Sequence, residues 1–172
     1  MSRVPLPAPR QPGTYHVGLV CLGNICRSPM ADVVLSAKVA EAGLDDVVTV
    51  ASSGTGGWHV GKPMDPRAAA TLSAAGYDPS RHRAQQFAPS WHETFDLLLP
   101  MDAQNLADIQ TGARDSGAAP RVRLFRSLDP DLSDAEVPDP YYGGDSGFEE
   151  VLSMVEHSSD LLVDQLRTIV GR

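Results

Sequence analysis

Apolar positions along the chain switch between two periods. Tyr15 to Val20 is a short, nearly continuous apolar run of strand length. A turn-like stretch, Cys21 to Ser28, follows it. Pro29 then opens a helical pattern that runs to about Ala42, with Ser28 suited to the N-cap and Gly43 as the stop. Asp46 to Ser53 reads as a second strand, because Val47, Val48, Thr49 and Val50 are all β-branched. Residues 54–66 form a glycine-rich loop, and Asp65 to Ala75 a helix between Pro66 and Gly76. Phe95 to Met101 is a third strand, backed by a helix from Asp102 to about Thr111. Arg121 to Phe125 reads as a fourth, short strand. Asp129 to Ser146 is a long polar loop, and Phe148 to about Val170 a terminal helix with Val151, Met154, Val155, Leu162, Leu166 and Ile169 on its apolar side. The alternation of strand and helix predicts a single α/β domain, a parallel sheet with helices on both faces. Ligands in such sheets sit beyond the carboxyl ends of the strands.

Composition narrows the class. The 172 residues suffice for one domain with a core of its own, and aromatics at 6% make that core aliphatic. Fourteen Lys and Arg stand against 22 Asp and Glu, a net charge of −8. That balance argues against nucleic acid and against an anionic membrane surface as partners. No apolar stretch approaches membrane-spanning length. The first 13 residues hold four prolines and no apolar signal segment, and read as a flexible tail ahead of a domain from residue 14 to residue 172. Two cysteines do not make a disulfide scaffold, which points to a cytoplasmic setting. His16, His59, His92 and His157 show no ligand spacing with them; no metal and no cofactor is expected.

The chemistry concentrates where the first strand ends. Cys21 is followed by Leu22, Gly23, Asn24, Ile25 and Cys26, then Arg27 and Ser28. A loop that leaves a strand and enters a helix aims its backbone N–H groups at one point, the positive end of the helix dipole. Gly23 permits a tight turn and Asn24 tolerates left-handed backbone. Arg27 adds a planar fork for two oxyanion oxygens. A thiol at the base of that cradle favours its thiolate form. The spacing of Cys21 and Arg27 alone favours an inert strand-end thiol. The strand before, the Gly and Asn within, and the Ser-Pro and helix after select the phosphate cradle.

Cys21-Leu-Gly-Asn-Ile-Cys-Arg-Ser-Pro-Met-Ala31 resembles the signature of the low-molecular-weight protein tyrosine phosphatases. The segments Ser53 to His59, His82 to Gln86 and Val137 to Gly143 are similar to the family as well. The resemblance implies a four-stranded parallel sheet of order 2-1-3-4 in a three-layer domain. It implies hydrolysis of protein phosphotyrosine, and of aryl phosphates, with Cys21 as nucleophile, Arg27 as phosphate clamp and Asp139 as general acid and base. Ser28 is implied to hydrogen-bond the Cys21 sulfur, with Asn24, Ser53 and His82 supporting the loop. Trp58, Tyr141 and Tyr142 are implied to wall a substrate slot. Cys26 stays open between a small loop filler and a thiol that captures oxidised Cys21. The implied partner is a phosphotyrosine protein, with a cognate tyrosine kinase left open; a monomer or weak dimer is expected.

Two decoys fall away. Gly56 to Lys62 spells most of a Walker A loop but is followed by Pro63 where a Ser or Thr must bind Mg²⁺. An arsenate reductase of the same fold needs further cysteines, and none follows Cys26. A phosphate-binding module without turnover has no use for Asp139. That residue also suits an ordinary turn, and it is the cysteine loop upstream that gives it a catalytic reading.

Overall fold

A computed structural model describes residues 5–111, 121–141 and 146–172. The elements are β1 (Tyr15–Cys21), α1 (Arg27–Glu41), β2 (Val48–Gly54), α2 (Pro66–Ala74), α3 (Trp91–Thr94), β3 (Leu97–Pro100), α4 (Ala103–Gln110) and α5 (Ser146–Ile169). The sheet is parallel and ordered β2-β1-β3, with Cys21 opposite Gly54 and Val20 opposite Pro100.

β1 shows why the layers form. Its odd positions, Tyr15, Val17, Leu19 and Cys21, enter the main core together with apolar residues of α1 and α5. On the even side Val20 joins Leu98, Ile109 and Val122 in a second cluster packed by Trp91 and Phe95. Each buried Val or Leu contributes about 1.5–3 kcal/mol, so one register of the strand satisfies both faces at once. Gly18 leaves room on the second face: a β-carbon there would lie 2.8 Å from Leu98 and 3.1 Å from Phe95 and Trp91. Trp91 stacks on Phe95 with centroids 4.2 Å apart, within and just after a one-turn helix the sequence pattern did not suggest.

Three expectations change. The fourth strand shrinks to a single parallel bridge, Leu98 to Val122, with the Arg123 N–H donating to the Leu98 carbonyl at 3.1 Å. The chain then coils into a 3-10 helix, Phe125–Leu128. Phe125 and Leu128 are both buried and three residues apart, a helical rather than an alternating spacing, and Arg123 grips Ser127 through its hydroxyl and carbonyl. The sheet of the described residues is therefore three-stranded rather than 2-1-3-4.

The first helix begins earlier than its proline implies. Arg27 is its first residue and Cys26 sits at the N-cap without a capping side chain. Ser28 is inside the helix and buried, its hydroxyl turned towards Cys21.

Residues 5–13 lie against the domain instead of standing free. Asp96, 1% exposed, accepts hydrogen bonds from the Arg10 and His16 N–H groups at 2.6 and 2.7 Å. Tyr15 donates to the Pro7 carbonyl and Arg121 to that of Ala8. A buried carboxylate needs these donors, and the chain ahead of β1 supplies one of them. Among the described residues no helix is long and apolar enough to cross a membrane.

Candidate active site

β1 ends at Cys21 and α1 begins at Arg27, so Leu22 to Cys26 must turn the chain within five residues. Asn24 makes the turn with φ = 57°, the only positive φ outside glycine among the described residues. Its amide nitrogen donates to Ser28 Oγ at 2.8 Å and Ser52 Oγ at 3.0 Å; its Oδ1 accepts the Gln85 N–H at 2.9 Å. The strain of a left-handed residue is offset by three buried or half-buried hydrogen bonds.

The loop's carbonyls are tied from outside. The Cys21 and Leu22 carbonyls accept from Thr55 and Gly56, and that of Ile25 from Asp65, each at 2.9 Å. The Asn24 carbonyl accepts from His82 Nε2 at 2.7 Å. In a trans peptide the next N–H points the opposite way. The N–H groups of Leu22, Gly23, Ile25 and Cys26 therefore face away from these anchors, into a hollow of about 300 Å³. Burial holds the His82 pKa below its usual value, so the ring is a neutral donor at pH 7. Gly54 closes the back: a β-carbon there would stand 2.7–2.9 Å from backbone atoms of Leu22, Gly23 and Asn24.

Cys21 Sγ lies 2.9 Å from Ser28 Oγ, and Ser28 Oγ is also 3.3 Å from the Ser53 carbonyl. Ser53 meets the loop through that carbonyl. Its own hydroxyl is buried without a partner among the described residues, and the supporting hydroxyl comes from Ser52, one residue earlier.

Arg27 is 3% exposed and held by two elements the sequence did not connect to it. Nη1 donates to Asp102 Oδ2 at 2.6 Å and to the Val137 carbonyl at 3.0 Å, while Nη2 is 3.8 Å from Asp139 Oδ2. Burial disfavours its charge, but Cys21, Asp102 and Asp139 outweigh burial and raise its pKa above the usual value. Asp102 escaped notice because it doubles as the N-cap of α4, accepting from Asn105, and an Asp at a helix start reads as a cap. Its place after the end of β3 was the available signal.

Asp139 is 39% exposed on the rim, its Oδ1 accepting the Tyr141 N–H at 3.0 Å. The segment carrying it is pinned by Val137, fully buried, whose N–H donates to the Met101 carbonyl at 2.7 Å. Trp58 and Tyr141 line the hollow with Cys21, Arg27, Cys26 and Asp139; His59, which spacing gave no role, lines it too. Tyr142 lies outside the described residues.

The family model for low molecular weight phosphotyrosine protein phosphatase matches residues 16–170. The chain belongs to that family. A low molecular weight protein-tyrosine-phosphatase of Streptomyces coelicolor is 49% identical over 156 residues, covering 90% of this chain and 94% of that protein. Low molecular weight protein-tyrosine phosphatase A of Mycobacterium tuberculosis is 46% identical over 144 residues, 82% of this chain and 85% of that one. A crystal structure of a protein tyrosine phosphatase from Entamoeba histolytica superposes with a TM-score of 0.84 at 28% identity, covering 90% of this chain and 98% of that one. That of YfkJ from Bacillus subtilis gives 0.84 at 31%, covering 90% and 96%. As a member of the low-molecular-weight phosphatases, the chain is a hydrolase of the protein-tyrosine-phosphatase class.

The phosphatase buries its second thiol in the wall of the hollow. Cys26 is 5% exposed and packs in the main core, and burial, then the charges of Asp65, Cys21 and Asp139, push its pKa up. Both thiols are free. Tyr141 is backed by a group the sequence did not single out. The Arg67 guanidinium sits 5.3 Å from its ring and 4.8 Å from that of Phe148, and pairs with Asp65 at 3.0 Å.

Proposed function

We propose that the chain hydrolyses protein phosphotyrosine and aryl phosphates through a phosphocysteine, with Cys21, Arg27 and Asp139 in the three roles. The observation that carries this reading is their convergence on one hollow of about 300 Å³ floored by loop N–H groups. The Cys21 thiolate attacks phosphorus. The bond from phosphorus to the aryl oxygen breaks, its electron pair goes to that oxygen, and the Asp139 carboxyl gives the oxygen its proton. Arg27 and the loop N–H groups hold the three equatorial oxygens as charge spreads over them. A water then attacks the phosphocysteine. Asp139 takes its proton, the bond from phosphorus to sulfur breaks, and phosphate and thiolate separate.

Ser28 serves the sulfur in both states. Its hydroxyl carries one hydrogen and accepts from Asn24. Facing a thiol, Ser28 accepts from Cys21 and donates to the Ser53 carbonyl; facing a thiolate, it donates to sulfur instead. Alkyl phosphates react poorly in this scheme, because an alkoxide is a worse leaving group than a phenolate. Cys26 lines the same hollow as Cys21. After a peroxide converts Cys21 to the sulfenic acid, attack by the Cys26 sulfur forms the disulfide and releases water.

The test is hydrolysis of p-nitrophenyl phosphate with chelator present. Wild type turns over, Cys21→Ser is inactive, and Asp139→Ala loses a factor of about 10²–10⁴. Phosphate binding by wild type without release of nitrophenol overturns the reading in favour of a binding module.

A further inference from the structure

Among the described residues most large exposed apolar side chains gather beside the phosphate hollow. Among the described residues the exposed large hydrophobics are Trp58 at 68%, Val60 at 57%, Leu22 at 41% and Tyr141 at 38%. Leu22, Trp58 and Tyr141 line the phosphate hollow, and Val60 follows Trp58 by two positions. Clustered exposure of this kind marks a binding surface, whereas scattered exposure does not.

The apolar surface continues away from the phosphate. A second hollow of about 470 Å³ lies on the α4 side and shares Leu22 and Trp58 with the first. Its further walls include Phe87, Pro89 and Ile109, with Asp108 among its lining. These walls are held in place. Phe87 meets the rings of Trp91 and His92 edge-on at 5.8 and 5.5 Å, and the Ile109 carbonyl accepts from His92 Nε2 at 2.8 Å. The indole of Trp58 lies flat on Gly56, where a β-carbon would stand 1.8–2.4 Å from three of its carbons. The ring is common to the walls of both hollows.

We propose that the second hollow is a specificity subsite that takes an apolar side chain flanking the phosphotyrosine of the substrate. The proposal rests on the phosphatase reading above. An extended peptide advances about 3.3 Å per residue, so a neighbour one to three positions from the phosphotyrosine reaches past Trp58. Charge sets the sign of the preference. The Asp108 carboxylate at the hollow and the net charge of −8 disfavour an acidic flank. The occupant is a Leu- or Phe-sized residue of the substrate protein, in a segment without acidic neighbours.

The experiment compares synthetic phosphotyrosine peptides with Leu, Ala or Asp at each of the three positions on either side, using p-nitrophenyl phosphate as a substrate without flanks. Wild type hydrolyses the best Leu peptide with kcat/KM roughly tenfold or more above its Ala counterpart, mainly through KM, and the Asp counterpart is poorer still. Thr111→Trp, at an exposed residue lining the second hollow, abolishes the Leu preference and leaves p-nitrophenyl phosphate turnover unchanged. Asp108→Lys relieves the Asp penalty. Equal rates for Leu and Ala peptides, or a Leu preference that survives Thr111→Trp, overturn the subsite. So does a concentration-dependent dimer in gel filtration that Thr111→Trp disperses, since a second copy would then fill the hollow. Failure of wild type on p-nitrophenyl phosphate itself overturns the phosphatase reading instead.

Discussion

Removing the Asp102 carboxylate leaves the Arg27 guanidinium buried with one carbonyl and a partner 3.8 Å away. Breaking a buried ion pair costs about 3–5 kcal/mol of stability, and the guanidinium that the 2.6 Å contact with Asp102 orients loses its fixed position. Asp102→Asn therefore lowers kcat/KM on p-nitrophenyl phosphate roughly 10²-fold or more, although Asp102 touches no substrate in the proposed mechanism. Ser28→Ala acts on a different step. The departing sulfur loses a hydrogen bond worth about 1.5–3 kcal/mol, so breakdown of the phosphocysteine slows about 10–100-fold. Stopped-flow traces show a burst of nitrophenol ahead of a slow steady state; a uniform slowing without a burst contradicts the assigned role. Asn24→Gly keeps the left-handed backbone and loses the side-chain bonds, so comparison with Asn24→Ala separates strain from hydrogen bonding.

Two groups behind the loop give stability opposite slopes against pH. The half-buried Asp32 has its pKa pushed up to about 6 by burial, with the Ser36 and Ser52 hydroxyls opposing. The folded state then binds a proton that the unfolded state has already lost, so Asp32 stabilises the fold below its unfolded value and that contribution is gone as pH rises through about 6. His82, held below its usual value by burial, acts the other way: stability falls as pH drops below the usual histidine range. Asp32→Asn raises the Tm at pH 7.5 more than at pH 5. An equal shift at both pH values sinks that account.

Elements carry the geometry that single residues use. Gly54→Ala drives a β-carbon into backbone of the loop, which cannot rotate aside as a side chain can. Activity falls at least tenfold while the circular dichroism spectrum is kept, because β2 itself tolerates alanine. Deleting residues 1–10 strips Asp96 of the Arg10 N–H and Tyr15 of its acceptor. A loss of about 2 kcal/mol lowers Tm by roughly 4–8 °C, with kcat unchanged. Elements with one clean period were legible in the sequence: β1, β2 and β3, and the helices α1, α2, α4 and α5. The fourth strand was not, because Val122 offers one alternating contact before Phe125 and Leu128 bring in helical spacing. The loop from Cys21 to Ser28 was legible since its residues are contiguous along the chain. Asp102, Ser52 and Gln85 meet it, and Arg67 meets Tyr141 at the rim, only through tertiary structure, and each has an ordinary local role that masks its part in the site.

At the scale of the molecule, the proposed phosphate site is set in a protein of net charge −8. Approach of a doubly charged phosphopeptide is opposed by the overall field and rewarded only close to Arg27 and the loop N–H groups. Added salt screens the long-range repulsion before it weakens a buried site. With a salt whose anion does not compete for the cradle, kcat/KM for an acidic phosphopeptide rises between low and moderate ionic strength, and that for p-nitrophenyl phosphate changes less. The same restoring logic applies to redox loss. After peroxide and then thiol, wild type regains activity, whereas Cys26→Ala retains its initial rate and recovers less.

The loop between β1 and α1 is tied by residues 52, 55, 56, 65, 82 and 85, all far along the chain from it. Closing those contacts is entropically late, because non-local pairings form after local helices do. A nascent or refolding chain thus carries Cys21, the proposed nucleophile, on a slack segment, without the converged N–H groups. Catalysis switches on only when the last third-order contacts lock. Regained turnover should lag the far-ultraviolet signal of helix formation in a refolding time course, making the enzyme a clock for its own completion.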